Sequence, residues 1–229
     1  NLFASLFRGN SDSDVIKKLS IPTDVETISN MKDSMFLELL DKTKIVPESV
    51  EFIKKSRKRG ILCSIVTNCN RKVAEKIIKW LGIQHCIEHI VIGNECERAK
   101  PYPDPYLKSI ELLNTTSSNC IIFEDSFSGL CSASATFPQC VVGIQTVYDD
   151  EKLKENGADI TVPNYVSLDI DTLIQYNNNT SYMNKIKQSI ADTLSCNSNE
   201  IILADVKLKG GFIADVIAFT FRNKHFVLK

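Results

Sequence analysis

Short apolar runs alternate with amphipathic stretches along most of this chain. "ILCSIVT", "CIEHIVIG", "CIIFED", "QCVVGI" and "ADITVP" are apolar almost without interruption, which predicts strands covered on both faces. Between them, "PESVEFIKKSRKRG", "NRKVAEKIIKWLGI" and "PDPYLKSIELLN" set apolar residues at helical spacing. The first opens at Pro47, carries acids early and bases late, and stops at Gly60, which are helix start and stop signals. "SGLCSASAT" predicts a further helix of small residues. Strands alternating with helices predict an α/β fold, a parallel sheet with helices on both faces.

The two ends of the chain follow other patterns. Residues 12 to 42 are predicted helical, from the spacing in "DVIKKL" and "MKDSMFLELL". After about Asp171 the composition turns polar, and the Asn-rich "IQYNNNTS" predicts a linker. "YMNKIKQSIADTLS" then has helical spacing. It is followed by three strand-like runs, "EIILADVKLKGG", "FIADVIAFTFRN" and "KHFVLK", broken at Gly210-Gly211 and Arg222-Asn223. They predict an antiparallel meander in a second domain.

Charge narrows the function. The 229 residues include 27 basic and 28 acidic ones, for a formal net charge of -1. That balance points to neither a nucleic-acid partner nor a membrane surface. No apolar run is long enough to span a bilayer, so a soluble, cytoplasmic protein is expected. The eight cysteines form no C-x-x-C pair, and Cys63, Cys120 and Cys140 fall in strand-like runs. They predict small apolar thiols in a reducing compartment, without disulfides or zinc. His85, His89 and His225 lack metal-ligand spacing. The chain starts at Asn1 and stops within a strand-like run, so it is expected to be a piece of a longer protein.

In parallel α/β folds, ligands bind beyond the carboxyl ends of the strands. That rule selects Thr67-Asn68 after "CSIV", the loop "ERAKPYPDP" after "IVIG", and Glu124-Asp125 after "CIIF". Thr67 can donate its hydroxyl to an anion, and the Asn68 backbone N–H can point the same way at a helix N-terminus. Either residue could equally just cap that helix. Lys100 sits where three prolines within five positions stiffen the loop, which suits a fixed phosphate contact, though a surface lysine is the ordinary outcome. One acid at position 124 or 125 would cap the next helix. Two together at a strand end suggest oxygen ligands for Mg2+.

In this order, "SIVTN", "AKPYPDPYL" and "IIFEDSFSG" resemble the second, third and fourth motifs of the haloacid dehalogenase-like (HAD) superfamily. The likeness is greatest to the beta-phosphoglucomutase-like group of capped phosphatases and phosphomutases. It implies a HAD-like Rossmannoid parallel sheet over residues 47 to 171 and a partial helical cap over residues 1 to 46, with the Asn-rich linker of composition at 172 to 181. It also implies roles: Thr67 and the Asn68 backbone on the substrate phosphoryl group, and Lys100 on phosphate and the nucleophile. Asp125 would be the Mg2+ ligand, with Glu124 at the metal's edge, and Ser126 would orient its neighbours or cap the next helix.

The family's reaction further needs a D-x-D motif after a first strand, whose first Asp forms an aspartyl-phosphate and whose second acts as acid and base. Asp12 and Asp14 in "SDSDV" have that spacing, but "LFASLFRGN" before them is no apolar strand. Asp12 is also too near Thr67 for a helical cap to lie between them. They are expected in a cap helix opened by Ser11, Asp12 or Ser13. The first strand and the nucleophile are therefore expected before Asn1, leaving the sheet without its central strand.

"LKGGFIADVIAFTFRNKHFVLK" resembles the start of the small lobe of aminoglycoside-phosphotransferase-like or choline-kinase-like enzymes. Residues 182 to 229 would then begin an α+β kinase-like lobe, with Lys229 on ATP phosphates. Taken together, these likenesses imply a fragment of a Mg2+-dependent phosphatase or phosphomutase acting on a small phosphorylated metabolite. The alternative is a non-catalytic or regulatory HAD-like module fused to a small-molecule kinase.

Overall fold

The computed structural model describes residues 12–20, 24–176, 188–197, 200, 202–203, 217–221 and 224–228. The chain divides into two compact units, Asn1–Tyr176 and Asn177–Lys229. Lys229, Ser11 and the Gly210-Gly211 pair lie outside the described residues.

The described part of the first unit starts with the helices α1 (Asp12–Leu19) and α2 (Val25–Glu38). Asp24 caps α2 by accepting from Thr27 N at 2.7 Å. Asp12 and Asp14 lie within α1. Then come α3 (Ser49–Lys58), β1 (Ser64–Thr67), α4 (Arg71–Trp80), β2 (His89–Ile92), α5 (Asp104–Leu112) and β3 (Ile121–Glu124). The unit ends with α6 (Phe127–Ser134), β4 (Cys140–Ile144), α7 (Asp150–Glu155), β5 (Ile160–Val162) and α8 (Ile170–Gln175).

The strands are parallel, as their apolar runs predict, and both faces of the β3–β4 pair are covered. Ile122 and Val141 pack with Tyr106, Leu130, Leu153 and Ala158 on one side. Cys140, Val142 and Ile144 pack with Phe52, Ile170 and Leu173 on the other, joined by Ile121 and Phe123. Alternate positions of each strand thus serve opposite cores.

Two short helices escape sequence patterning. α7 offers a single fully buried apolar residue, Leu153, among charges, and α8 offers Ile170 and Leu173. α8 also occupies residues that composition assigns to the linker. Asp169 caps it, Leu173 is buried, and Arg59 reaches Asp171 at 2.7 Å. The polar Asn-rich segment therefore starts after a docked turn of helix.

The sheet is broken. Among the described residues β1 pairs with β2, and β3–β4–β5 form a separate sheet, with no pairing between β1 and β3. In the second unit, residues 188–194 are helical. There β6 (Ile202–Leu203), β7 (Ile217–Phe221) and β8 (Lys224–Leu228) form an antiparallel sheet in that order, the meander that the three strand-like runs predict.

Candidate active site

Thr67 and Glu124 are the last residues of β1 and β3, on either side of the break. Lys100 comes from the loop between β2 and α5, and its ammonium joins the two edges. It donates to Val66 O at 2.9 Å, to Tyr106 Oη at 3.1 Å, and to Glu124 Oε1. Both side chains of the ion pair are buried, Lys100 at 7% and Glu124 at 8% exposure. Lys100 is therefore not a surface lysine.

The loop that carries it is tied down at several points. Asn68 Nδ2 donates to Lys100 O, and Lys100 N donates to Asn68 Oδ1, each at 3.2 Å. Arg98 makes two 3.0 Å bonds to Asp104 and lies 4.5 Å from the Tyr102 ring centroid. Gly93 permits the Asn68 contact, because a Cβ at that position would lie 2.0 Å from Asn68 Oδ1.

The capping alternatives fall away in turn. Helix α4 is capped by Asn70, whose side chain accepts from Lys72 N at 3.2 Å. Thr67 Oγ1 instead accepts from Cys69 N at 3.1 Å, and among the described residues nothing takes its own proton. Helix α6 is capped by Ser126, which accepts from Gly129 N at 3.2 Å. Neither Glu124 nor Asp125 is needed for that purpose.

The two acids have different partners. Glu124 Oε1 takes Lys100 and Tyr106 Oη; Oε2 takes Asp125 N and Ser126 Oγ, both at 3.2 Å. That fills the acceptor capacity of a carboxylate. Glu124, expected at the edge of a metal, is here the counter-ion of Lys100. The physical reason is that a buried ammonium must be paired. Gly129 makes room for it, since a Cβ there would lie 2.1 Å from the Glu124 carboxylate.

Asp125 points elsewhere, accepting from Thr146 Oγ1 at 2.8 Å. Its carboxylate is of the right donor type for Mg2+, but it is one ligand for an ion that takes six oxygens. Among the described residues no group of three or more His, Cys, Asp or Glu is placed to hold a metal. These residues fit Mg2+ through Asp125 alone and do not complete its site.

Tyr106 and Thr146 escape sequence reasoning. Burial, then the charge and hydrogen bond of Glu124, push the Tyr106 hydroxyl well above its ordinary range, so it stays a donor. Its signal is the position just after "KPYPDP". Thr146 has no signal, because it reaches Asp125 from the loop beyond β4. Phe127, at the start of α6, stacks on Tyr148 with ring centroids 3.9 Å apart.

A model of haloacid dehalogenase-like hydrolases matches residues 3–142. The chain belongs to this family. It is 31% identical over 112 residues to glycerol-1-phosphate phosphohydrolase 2 of Saccharomyces cerevisiae, covering 46% of this chain and 44% of that protein. It is 30% identical over 128 residues to a phosphorylated carbohydrates phosphatase of Thermotoga maritima, covering 56% and 58%. The chain thus spans about half the length of the curated relatives it matches. Its fold is that of beta-phosphoglucomutase from Clostridium difficile, with a TM-score of 0.64 and 20% identity over 78% of this chain and 81% of that one. Among the described residues, no helix is long and apolar enough to cross a membrane.

Proposed function

We propose that this HAD-family chain forms the phosphate-binding half of a phosphatase or phosphomutase for a small phosphate monoester. The observation that carries the proposal is the buried Lys100–Glu124 pair across the ends of β1 and β3, bonded to the carbonyl of Val66 next to Thr67. A stability function alone would favour an apolar pair there, since buried ion pairs contribute little net stability. The relatives named for phosphatase action on glycerol-1-phosphate and on phosphorylated carbohydrates support the same substrate class.

In this proposal Thr67 donates its hydroxyl to a phosphoryl oxygen. Lys100, held on Glu124 and Tyr106, turns its Val66 bond toward phosphate and toward the nucleophile. Asp125, steadied by Thr146, would hold Mg2+, which when bound neutralises phosphoryl charge. The nucleophilic Asp would lie on a strand outside residues 1–229, entering between β1 and β3, where the sheet is broken. Fusion to a kinase-like lobe begun by residues 182–229 is part of the same proposal, supported by the antiparallel order β6–β7–β8.

The test is calorimetric titration of residues 1–229 with inorganic phosphate in the presence of Mg2+. Binding weakened about tenfold by Lys100→Ala and by Thr67→Ala is expected, in line with lost charge-assisted hydrogen bonds. Equal binding by wild type and both variants refutes the site. No Mg2+-dependent hydrolysis of p-nitrophenyl phosphate is expected from this chain. Turnover abolished by Asp12→Ala would overturn the placement of the nucleophile.

A further inference from the structure

Asn156 and Gly157 form the one Asn-Gly pair in the chain. Such a pair has a chemistry of its own. The Gly157 nitrogen can attack the side-chain carbonyl carbon of Asn156, since a residue without a Cβ leaves the approach open. The nitrogen gives its proton to water, the new N–C bond closes a succinimide ring, and the side-chain amide leaves as ammonia. Water then opens the ring and leaves an aspartyl or an isoaspartyl residue at position 156. Water is the sole co-reactant.

The fold keeps the two reacting groups apart. Asn156 ends α7, with φ -98° and ψ 9°. Ring closure needs the Gly157 nitrogen eclipsed with the Asn156 Cβ, whereas a ψ near zero eclipses it with the Asn156 nitrogen. The Asn156 amide is turned back along the helix, where Nδ2 donates to Lys152 O at 2.8 Å. The Gly157 N–H is engaged too, donating to Lys154 O at 3.1 Å. Glycine is required at that position: its φ is +110°, and a Cβ would lie 2.6 Å from Ser134 Oγ of α6. The reactive pair is therefore built into the turn, and α7 alone restrains it. That helix has six residues, with Leu153 as its buried anchor and Asp149 as its cap, accepting from Lys152 N at 3.0 Å. A helix this short, with one apolar anchor, opens more readily than the whole domain unfolds.

We infer that Asn156–Gly157 is a site of spontaneous deamidation whose rate is set by the opening of α7. An isoaspartyl residue lengthens the main chain by a methylene just before Ala158 and Asp159. Those residues donate to Leu153 O at 3.0 Å and to Val141 O at 2.8 Å, and Val141 N donates back to Asp159 Oδ2 at 2.8 Å. The lesion falls where the chain returns from α7 to pair β5 with β4.

The test is ageing of residues 1–229 in neutral buffer, folded and in concentrated urea, with peptide mapping by mass spectrometry and isoaspartate detection at position 156. Isoaspartate should form at least about tenfold faster in urea, where no helix holds the pair. Asp149→Ala removes an exposed cap and leaves the core intact. It should speed the reaction of the folded chain about fivefold and leave the rate in urea unchanged. Equal rates in the folded chain and in urea overturn the gating by α7. So does a folded rate that Asp149→Ala leaves unchanged. Absence of isoaspartate at position 156 even in urea overturns the site itself.

Discussion

β4 and β1 are both short apolar strands with parallel partners, yet they differ in burial. β4 is buried at all five positions and β1 is fully buried at none of its four. β4 lies between β3 and β5, with Phe52, Ile170 and Leu173 on one face and Leu130 and Leu153 on the other. Among the described residues β1 has one strand neighbour, β2, and its other edge meets the break in the sheet. The Val66 carbonyl on β1 accepts from the Lys100 ammonium in place of a strand N–H. One half of this sheet is thus finished by packing, and the other is held by a side chain that the candidate site needs.

The sharpest way to break this contrast is to remove the bridge. Lys100→Met strands Glu124 as a buried, unpaired carboxylate and should cost about 3–5 kcal/mol in urea unfolding. Adding Glu124→Gln should recover part of that loss, because the stranded charge is gone. If the single variant unfolds like wild type, the pair does not hold the two halves together.

The next effect compares the halves directly. Val141→Ala in β4, at 0% exposure, should cost about 2–3 kcal/mol, whereas Val66→Ala in β1 should cost about 1 kcal/mol or less. Equal losses would mean that β1 is as well packed as β4 and that the break has no energetic meaning.

Alkaline pH probes the polar seam between the halves. Burial and the nearby Glu124 push the Tyr106 hydroxyl up. Burial, with Asp125 and Glu124, pushes the Tyr165 hydroxyl up. Burial alone raises the Cys120 thiol to about 11. Each group keeps its proton longer when folded, so its contribution is fully present below its unfolded pKa. It is lost as pH rises through the folded one. Tm should therefore hold near neutrality and fall from about pH 9 upward, where free thiols and then phenols ionise. Tyr106→Phe should flatten the upper part of that fall, and a fall as steep as in wild type would show that Tyr106 is not its source. At pH 7 Tyr106→Phe removes the hydrogen bonds that Tyr106 Oη makes with Lys100 and Glu124, for about 1.5–3 kcal/mol.

Much of the site was legible because its residues sit where patterns change. Thr67, Asn68, Glu124 and Asp125 follow apolar runs, and Lys100 precedes three closely spaced prolines. Which of them does what was less legible. Two adjacent acids look alike in a sequence. Glu124 became a counter-ion because the strand's pleat turns it into the core beside Lys100, while Asp125 turned toward Thr146. Asp33, the buried residue of α2, left no trace in its helix, since a carboxylate at that spacing reads as an ordinary solvated position.

By itself, the sequence determined the strand and helix order, the parallel sheet, the C-terminal meander and the strand ends where chemistry gathers. These follow from local periodicity and from Gly and Pro, which act over a few residues. Only the tertiary structure decided where the sheet breaks, that Lys100 spans the break, and that α2 buries an acid. Those outcomes depend on which distant segments compete for the same space and the same buried hydrogen bonds, and no local pattern records that competition.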